Sequence, residues 1–334
     1  MLNDSILNPR NYTYPGPERG RLDAFLTTEL TKDPAYSFLT RSQIKNWIEK
    51  GNVKINDTVV LKSGEKILAG DKIIVSPPPI EPSELAPYDF PLEILFEDQE
   101  VIVINKPAGL TMHPGAGNRD KTLANAIVSK IQKELSDSNS IRPGIVHRLD
   151  KDTTGLVVVA KNLESHNALV KQFASRSIVR RYVALVRTLP KSKGVLDTKD
   201  EGTIETNIGR HPSRKTEMTV LTDDGLKAIT HWKILERFPY ASLVEVKLET
   251  GRTHQIRVHM THLNAPILGD PVYGNLDMLP HDLKRACDKF GRQALHAKIL
   301  GFKHPKTDEY MEFEVEVPRD FQGLLMTFKN HTNN

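Results

Sequence analysis

Arg142-Pro-Gly-Ile-Val-His-Arg-Leu-Asp-Lys-Asp-Thr-Thr-Gly-Leu-Val-Val-Val-Ala160 is the stretch from which the rest of the chain can be read. Ile145 and Val146 lead in as an apolar strand. Leu156 to Ala160 leave as an unbroken apolar run, the pattern of a strand buried on both faces. Between them sit His147, Arg148, Asp150, Lys151, Asp152, two threonines and Gly155. A polar loop held between two buried strands is where a rigid scaffold presents chemistry. Asp, Thr and Gly are also turn formers, and composition alone favours an ordinary solvated β-turn.

The 334 residues, 38% of them hydrophobic and 26% charged, can bury a sizeable core and form two domains or more. A net charge of +4 and a pI near 8.9 are compatible with a nucleic-acid partner without demanding one. Cys287 is the single cysteine, which excludes an internal disulfide and fits a reducing compartment. The first residues lack the basic-then-apolar pattern of a signal peptide. No apolar run approaches the ~20 residues of a membrane span. The expectation is a soluble cytoplasmic protein. No nucleotide-binding glycine loop, zinc spacing, hydrolase elbow or internal repeat occurs.

Working outward to the N-terminal side, residues 1–18 read as a flexible lead-in. Leu22, Phe25, Leu26 and Leu30 fall at helical spacing after Gly20. A second helix is expected from Ser42, its candidate N-cap, to Gly51 as the stop, with Ile44, Trp47 and Ile48 on its apolar face. Arg41, Lys45 and Lys50 lie off that face, where they could meet phosphates or merely be solvated. Val53–Ile55 and Thr58–Val60 flank Asn56-Asp57, a hairpin signal. Asp71-Lys-Ile-Ile-Val75 closes this unit. Ser76 to Pro87 holds five prolines and reads as an extended spacer. The strands Leu92–Phe96 and Val101–Ile104 follow, and the second runs into Asn105-Lys-Pro-Ala-Gly-Leu110, where Pro107 and Gly109 shape a rigid turn that places Lys106. Leu123, Ala126, Ile127 and Ile131 mark a helix. A polar stretch from Ser136 to Ser140 then leads to the central loop.

On the C-terminal side, Asn162 can cap a helix carrying Leu163, Leu169, Val170 and Phe173 on one side. Arg180–Arg187 reads as a strand, and an aromatic such as Tyr182 in a strand is most often packing. Residues 190–228 look like short β pieces and loops. Thr230–Leu235 and Leu243–Leu248 are strands, the latter with one wet face. Thr250-Gly-Arg-Thr-His-Gln-Ile-Arg-Val-His-Met260 follows, with Thr253 as a candidate helix cap. Pro266-Ile-Leu-Gly-Asp-Pro-Val-Tyr-Gly274 comes after it. His254, His259 and His262 invite a metal reading, but their spacing is not that of a helical zinc pair and no acidic third ligand is near in sequence. Strands around Ile299 and from Met311 to Val317 finish the sheet.

His147-Arg-Leu-Asp150 followed by Thr153-Thr-Gly155 resembles the catalytic loop of the RluA-type pseudouridine synthases, in the large-subunit synthase D branch. The family usually has Thr-Ser-Gly there, and both versions keep a hydroxyl. Val103-Ile-Asn-Lys-Pro-Ala-Gly-Leu110 with His113-Pro-Gly115, Arg180-Arg-Tyr-Val-Ala-Leu-Val186 and the Thr250 to Met260 stretch match further family motifs in the family's order. Residues 19–76 resemble the small αL RNA-binding domain first described in ribosomal protein S-four. The resemblance implies an α+β protein: this RNA-binding domain, a Pro-rich linker over 77–90, and a synthase domain over 91–325 around a mixed, largely antiparallel sheet. It also implies Asp150 as the essential carboxylate, Tyr182 as the surface that stacks on the target base, and Arg257 as the ion-pair partner of Asp150. Arg148 would fill the space of the flipped base. His147, Lys106, Arg252 and His254 would contact substrate. Arg41, Lys45 and Lys50 would contact RNA from the small domain.

The implied reaction breaks a C–N glycosidic bond, turns the uracil over and rejoins it through carbon. It has no redox or phosphoryl step, so no cofactor and no metal are expected. The expected partner is RNA, large-subunit ribosomal RNA above all, with no membrane and with the chain acting as a monomer. An Arg–carboxylate pair can be bidentate, so Arg257 would hold Asp150 ionised. Two other readings stand beside this one. A non-catalytic ribosome-assembly factor on the same scaffold would use the same basic surfaces but has no need of a carboxylate among them. A glycoside hydrolase could pair Asp150 with Asp152, but it leaves the RNA-binding front domain without a role.

Overall fold

The computed structural model describes the chain apart from residues 1–8, 31, 33–35, 37, 38, 40, 78–84, 115–117, 119, 135–143, 190–193, 215, 216 and 332–334. Residues 1–8 of the expected lead-in, the middle of the Pro-rich spacer and the polar stretch Ser136 to Ser140 lie outside the described residues, while Arg10–Thr13 of that lead-in is a paired strand of the front unit and not a flexible segment.

The front unit consists of β1 (Arg10–Thr13), β2 (Gly20–Arg21), α1 (Leu22–Leu30), α2 (Arg41–Glu49), β3 (Val53–Ile55), β4 (Thr58–Val59), β5 (Lys66–Ile67) and β6 (Lys72–Val75). Its antiparallel sheet runs β1-β6-β3-β4, and β2 pairs with β5. Leu22, Leu26 and Leu30 of α1 and Ile44 and Ile48 of α2 pack on Val53, Ile73 and Val75. The hairpin turns where expected, because Asn56 (φ 47°) and Asp57 (φ 66°) both take the left-handed conformation a two-residue hairpin requires. Gly51 ends α2 in the same conformation (φ 79°). Ser42 is not the cap of α2: it lies inside the helix, which already includes Arg41.

The larger unit comprises β7 (Glu93–Glu97), β8 (Val101–Lys106), α3 (Leu123–Glu134), β9 (Gly144–Ile145), β10 (Thr154–Ala160), α4 (Leu163–Ala174), β11 (Val179–Arg187), α5 (Val195–Thr198), β12 (Glu201–Arg210), β13 (Met218–Leu221), β14 (Leu226–Arg237), β15 (Ala241–Leu248), α6 (Gln255–His262), α7 (His281–Phe290), β16 (Leu295–Lys303), β17 (Tyr310–Glu314) and α8 (Arg319–Lys329). The strands form one sheet in the order β13-β12-β14-β15-β11-β16-β10-β8-β7, with β17 beside β16 and β9 beside β10. Among the described residues β10–β16 is its one parallel ladder, so the sheet is mixed and largely antiparallel, as expected.

β10 lies between β16 and β8, third from the β7 edge, and is buried along its whole length. Val157 and Val159 face a core that also holds Ile102, Ile104, Ile256, Met260, Leu283 and Phe321. Leu156 and Val158 face the opposite layer with Val101, Val103, Leu169 and Phe302. Each such side chain contributes roughly 1.5–3 kcal/mol by burial, so the strand that carries the polar loop is also the best anchored. Where β10 meets β16, Gly155 has φ 109°, and a Cβ there would lie 2.2 Å from the Ala297 carbonyl oxygen. Only glycine fits.

Three expectations are corrected. Within residues 190–228, Glu201–Arg210 forms one long strand, β12, not short β pieces, with Ile204 and Ile208 turned inward and mostly polar residues outside; the expected strand Thr230–Leu235 lies within β14. On α4, Leu163 and Val170 are exposed while Ser165, Asn167 and Leu169 turn inward, although Asn162 caps the helix by accepting the Ser165 N–H at 2.8 Å. The helices α7 and α8 were not anticipated. Among the described residues no helix is long and apolar enough to cross a membrane.

Candidate active site

The loop between β9 and β10 is held residue by residue on its C-terminal side. Lys106 Nζ donates to the Lys151 carbonyl at 2.9 Å, and Arg292 Nη1 donates to the Asp152 carbonyl at 3.2 Å. Gln293 Nε2 donates to Thr153 Oγ1 at 3.0 Å, and the Thr154 hydroxyl lies 2.8 Å from His296 Nδ1. Leu149 is buried in the core. Asp150, between these anchors, presents a carboxylate with 17% of its side chain exposed. Asp152 does not join it: its Oδ1 accepts the Gly109 N–H at 3.2 Å, tying the loop to the Lys106-Pro107 turn. That arrangement removes the basis for a paired-carboxylate hydrolase.

Lys106 is corrected as a substrate contact. It is fully buried, and its ammonium donates to the carbonyls of Pro107 (2.7 Å), Leu110 (3.0 Å) and Lys151 (2.9 Å). Three donors are then spent on three acceptors. Burial pulls its pKa down to about 7, with Asp152 and Asp150 opposing.

Arg257 on α6 reaches Asp150, but not by the expected fork. Nη1 donates to Asp150 Oδ2 at 3.2 Å, while Nε and Nη2 pair bidentately with Asp270 at 2.7 and 2.8 Å. The Asp270 carboxylate is fully buried and also accepts the Val272 and Tyr273 N–H groups at 2.9 and 3.1 Å. The Tyr273 ring lies 4.9 Å from the Arg257 guanidinium carbon. Burial works against the Arg257 charge, yet Asp270 and Asp150 outweigh it and raise the pKa. Asp270 thus aims a permanently charged guanidinium at Asp150. Asp270 and Tyr273 both stand in the Pro266 to Gly274 segment, but no pattern in the sequence assigned them a role.

Thr253 does not cap α6. His254 does, in the left-handed conformation (φ 57°, ψ 20°) and without a side-chain capping bond. Its Nε2 lies 4.0 Å from Asp150 Oδ1, and its Nδ1 lies 2.8 Å from the Tyr273 hydroxyl. The other two histidines of this segment diverge from it. His259 is buried between the hydroxyls of Thr206 and Thr230, and His262 is exposed.

Asp150, Arg257 and His254 line a cavity of about 610 Å³ with Tyr182, Arg148, His147, Arg252 and Arg180. Tyr182, from β11, is 6% exposed, and burial raises the pKa of its hydroxyl. Arg148 is exposed and makes no hydrogen bond or ion pair among the described residues. His147 is half-buried: its Nε2 accepts the Val158 N–H at 3.0 Å, and its ring stacks on Phe173 at 4.9 Å. Burial, with Arg180 adding, pushes its pKa down to about 3, so it faces the cavity as a neutral ring. Arg252 Nε donates to the Lys227 carbonyl at 3.0 Å. The structure therefore brings Asp150, Arg257, Tyr182, Arg148, His147, Arg252 and His254 to one cavity and leaves Lys106 behind it.

In the front unit, Arg41 and Lys45 stand 2.9 and 3.8 Å from the buried Asp23 carboxylate, which Arg21 also meets at 3.1 Å. Burial opposes the Asp23 charge, but Arg21 and Arg41 outweigh it and lower the pKa. One acid thus gathers three cations at the surface, where the Arg41 and Lys45 side chains remain 49% and 41% exposed.

The family model for RNA pseudouridylate synthase matches residues 100–262, and the model for the S4 domain matches residues 35–73. Over 293 residues the chain is 42% identical to an uncharacterized RNA pseudouridine synthase of Bacillus subtilis, spanning 87% of this chain and 90% of that one. Over 290 residues it is 43% identical to the ribosomal large subunit pseudouridine synthase D of Pseudomonas aeruginosa, spanning 86% and 87% respectively. Among solved structures, human RNA pseudouridylate synthase domain containing 4 shares the fold, with a TM-score of 0.56 at 24% identity over 72% of this chain and 95% of that one. With identity above two-fifths along most of its length, the chain belongs to the RNA pseudouridine synthase family and carries an S4 domain ahead of the synthase domain.

Proposed function

We propose that the protein converts specific uridines of large-subunit ribosomal RNA to pseudouridine in the cytoplasm, as a monomer, with Asp150 as the essential carboxylate. The target class rests on the names of the relatives. The role of Asp150 rests on one observation: its carboxylate stands on the wall of the cavity with Oδ2 held by Arg257 at 3.2 Å, while Oδ1 accepts no hydrogen bond among the described residues.

The reaction needs an ionised carboxylate to attack the nucleoside or to stabilise a cationic sugar as the glycosidic bond breaks. Burial disfavours an ionised carboxylate and a neighbouring cation opposes that. Arg257 supplies the cation and cannot lose its proton. The uridine must first leave its stack, at a cost of a few kcal/mol. Arg148, exposed at the mouth, takes the vacated space. Tyr182 offers its ring to the flipped base. Arg41, Lys45 and Lys50 add phosphate contacts from the S4 domain, which makes binding salt-dependent.

The test uses large-subunit ribosomal RNA transcribed without modifications and tritiated at uracil C5. Forming the new C–C bond at C5 expels that tritium. Release from this RNA is expected. Release only from small-subunit or transfer RNA would contradict the substrate assignment, and no release from any RNA would contradict the activity.

A further inference from the structure

His254 holds a non-glycine residue at φ 57°. That conformation costs roughly 1–2 kcal/mol, and such strain collects where a side chain has to be aimed. The Tyr273 hydroxyl accepts the Met218 N–H at 2.7 Å and meets His254 Nδ1 at 2.8 Å. Its own proton has no other acceptor among the described residues, so it goes to Nδ1. A neutral imidazole that accepts at Nδ1 carries its hydrogen on Nε2. Burial, with Arg257 and Arg148 adding, favours that neutral ring, while Asp150 and Asp270 oppose. Nε2 faces Asp150 Oδ1 at 4.0 Å, too far for a hydrogen bond. Among the described residues it has no hydrogen-bond partner. The cavity therefore holds one oriented, unspent N–H beside the carboxylate. The guanidinium next to it is already committed to Asp270 and Asp150.

We infer that His254 donates its Nε2–H to an oxygen of the reacting uracil, with Tyr273 fixing the tautomer that makes this possible. The inference rests on the function proposed above. When the glycosidic bond breaks, uracil N1 leaves with the bonding pair, and the charge spreads onto the ring oxygens. A donor already in place for that charge lowers the barrier, and the proton stays on His254 throughout. His254 is thus a further catalytic residue, and Tyr273 is its positioning residue.

Two substitutions separate this role from a structural one. His254→Asn suits the left-handed backbone and can still accept from Tyr273, but it is too short to place a donor where Nε2 stands. His254→Gln reaches that place. Single-turnover tritium release should fall on the order of 10²-fold in His254→Asn and recover in part in His254→Gln, with RNA affinity equal in all three proteins. Nitrogen-15 NMR of the ring should show the Nε2–H tautomer in the wild type and a mixture in Tyr273→Phe. A wild-type rate in His254→Asn, or an Nδ1–H tautomer in an active wild type, would overturn this inference alone. Equal losses in both variants together with lowered melting temperatures would make His254 structural and overturn it too. Absence of release by the wild type would overturn the proposed function and this inference with it.

Discussion

Replacing Arg257 by lysine is the sharpest test of how Asp150 is held. Arg257 makes two bonds to Asp270, at 2.7 and 2.8 Å, and one to Asp150, at 3.2 Å. A lysine ammonium keeps the charge but loses the fork, so it can serve one carboxylate well and not both. The fully buried Asp270 has the shorter hydrogen bonds and the greater need of a counter-charge, so the ammonium settles there. Two bonds to charged groups at roughly 1.5–3 kcal/mol each set an upper bound of about 3–6 kcal/mol on the stability loss. The retained charge and the Val272 and Tyr273 N–H groups on Asp270 offset about half, leaving a loss of roughly 2–3 kcal/mol. Asp150 is meanwhile left without its charge-assisted hydrogen bond. If that bond is worth about 3–4 kcal/mol in the transition state, the rate falls on the order of 10²- to 10³-fold. The assay is single-turnover tritium release by Arg257→Lys, with circular dichroism and a melting curve to show that the protein is folded. A folded variant releasing tritium within tenfold of the wild-type rate would refute the reasoning.

Other positions carry equally direct expectations. His147 has its pKa pushed down to about 3 from 6.5, so the native state refuses a proton that the unfolded chain accepts. Its contribution to stability is full above about pH 6.5 and is lost as pH falls towards 3. His147→Gln can still accept the Val158 N–H but cannot charge, so the acid limb of its Tm–pH curve should flatten by up to about one proton; an unchanged limb would show that His147 titrates normally. Gly155→Ala forces a Cβ to 2.2 Å from the Ala297 carbonyl oxygen at φ 109°. It should cost about 3 kcal/mol or more by denaturant melting, and a wild-type midpoint would argue against the β10–β16 register. Lys45→Ala and Lys50→Ala together should reduce the slope of log affinity against log salt by roughly 0.7–0.9 for each phosphate these lysines neutralise. An unchanged slope would remove these residues from the RNA interface.

Much of this architecture is legible in local sequence because local physics decides it. The apolar run Leu156 to Ala160 reads as a strand buried on both faces, and β10 is that strand. Asn56-Asp57 is the turn a two-residue hairpin requires, and Asn162 is the cap of α4. What local pattern cannot show is which distant groups meet. Arg257 and Asp150 lie far apart in the chain and were paired only through resemblance to a family. The fork to Asp270 escaped even that, because nothing in Pro266 to Gly274 distinguishes a buried counter-charge from a turn-forming aspartate. His254, not Thr253, caps α6, in a left-handed conformation and without the side-chain hydrogen bond that makes threonine a favoured cap. Lys106 was assigned a substrate contact by the resemblance alone, and only the fold reveals the three carbonyls that converge on its ammonium. The strand β12 was underestimated because most of its residues are polar or half-exposed and only Ile204 and Ile208 are fully inward, which dilutes the apolar signal.

The central claim is that Asp150 carries out the chemistry while the rest of the cavity binds and aims. The most direct measurement compares wild type and Asp150→Ala on unmodified large-subunit ribosomal RNA tritiated at uracil C5, following RNA binding and tritium release in the same samples. The expected result is equal binding by both proteins and release by the wild type alone. Release by Asp150→Ala at a comparable rate would contradict the claim, as would binding without release by either protein.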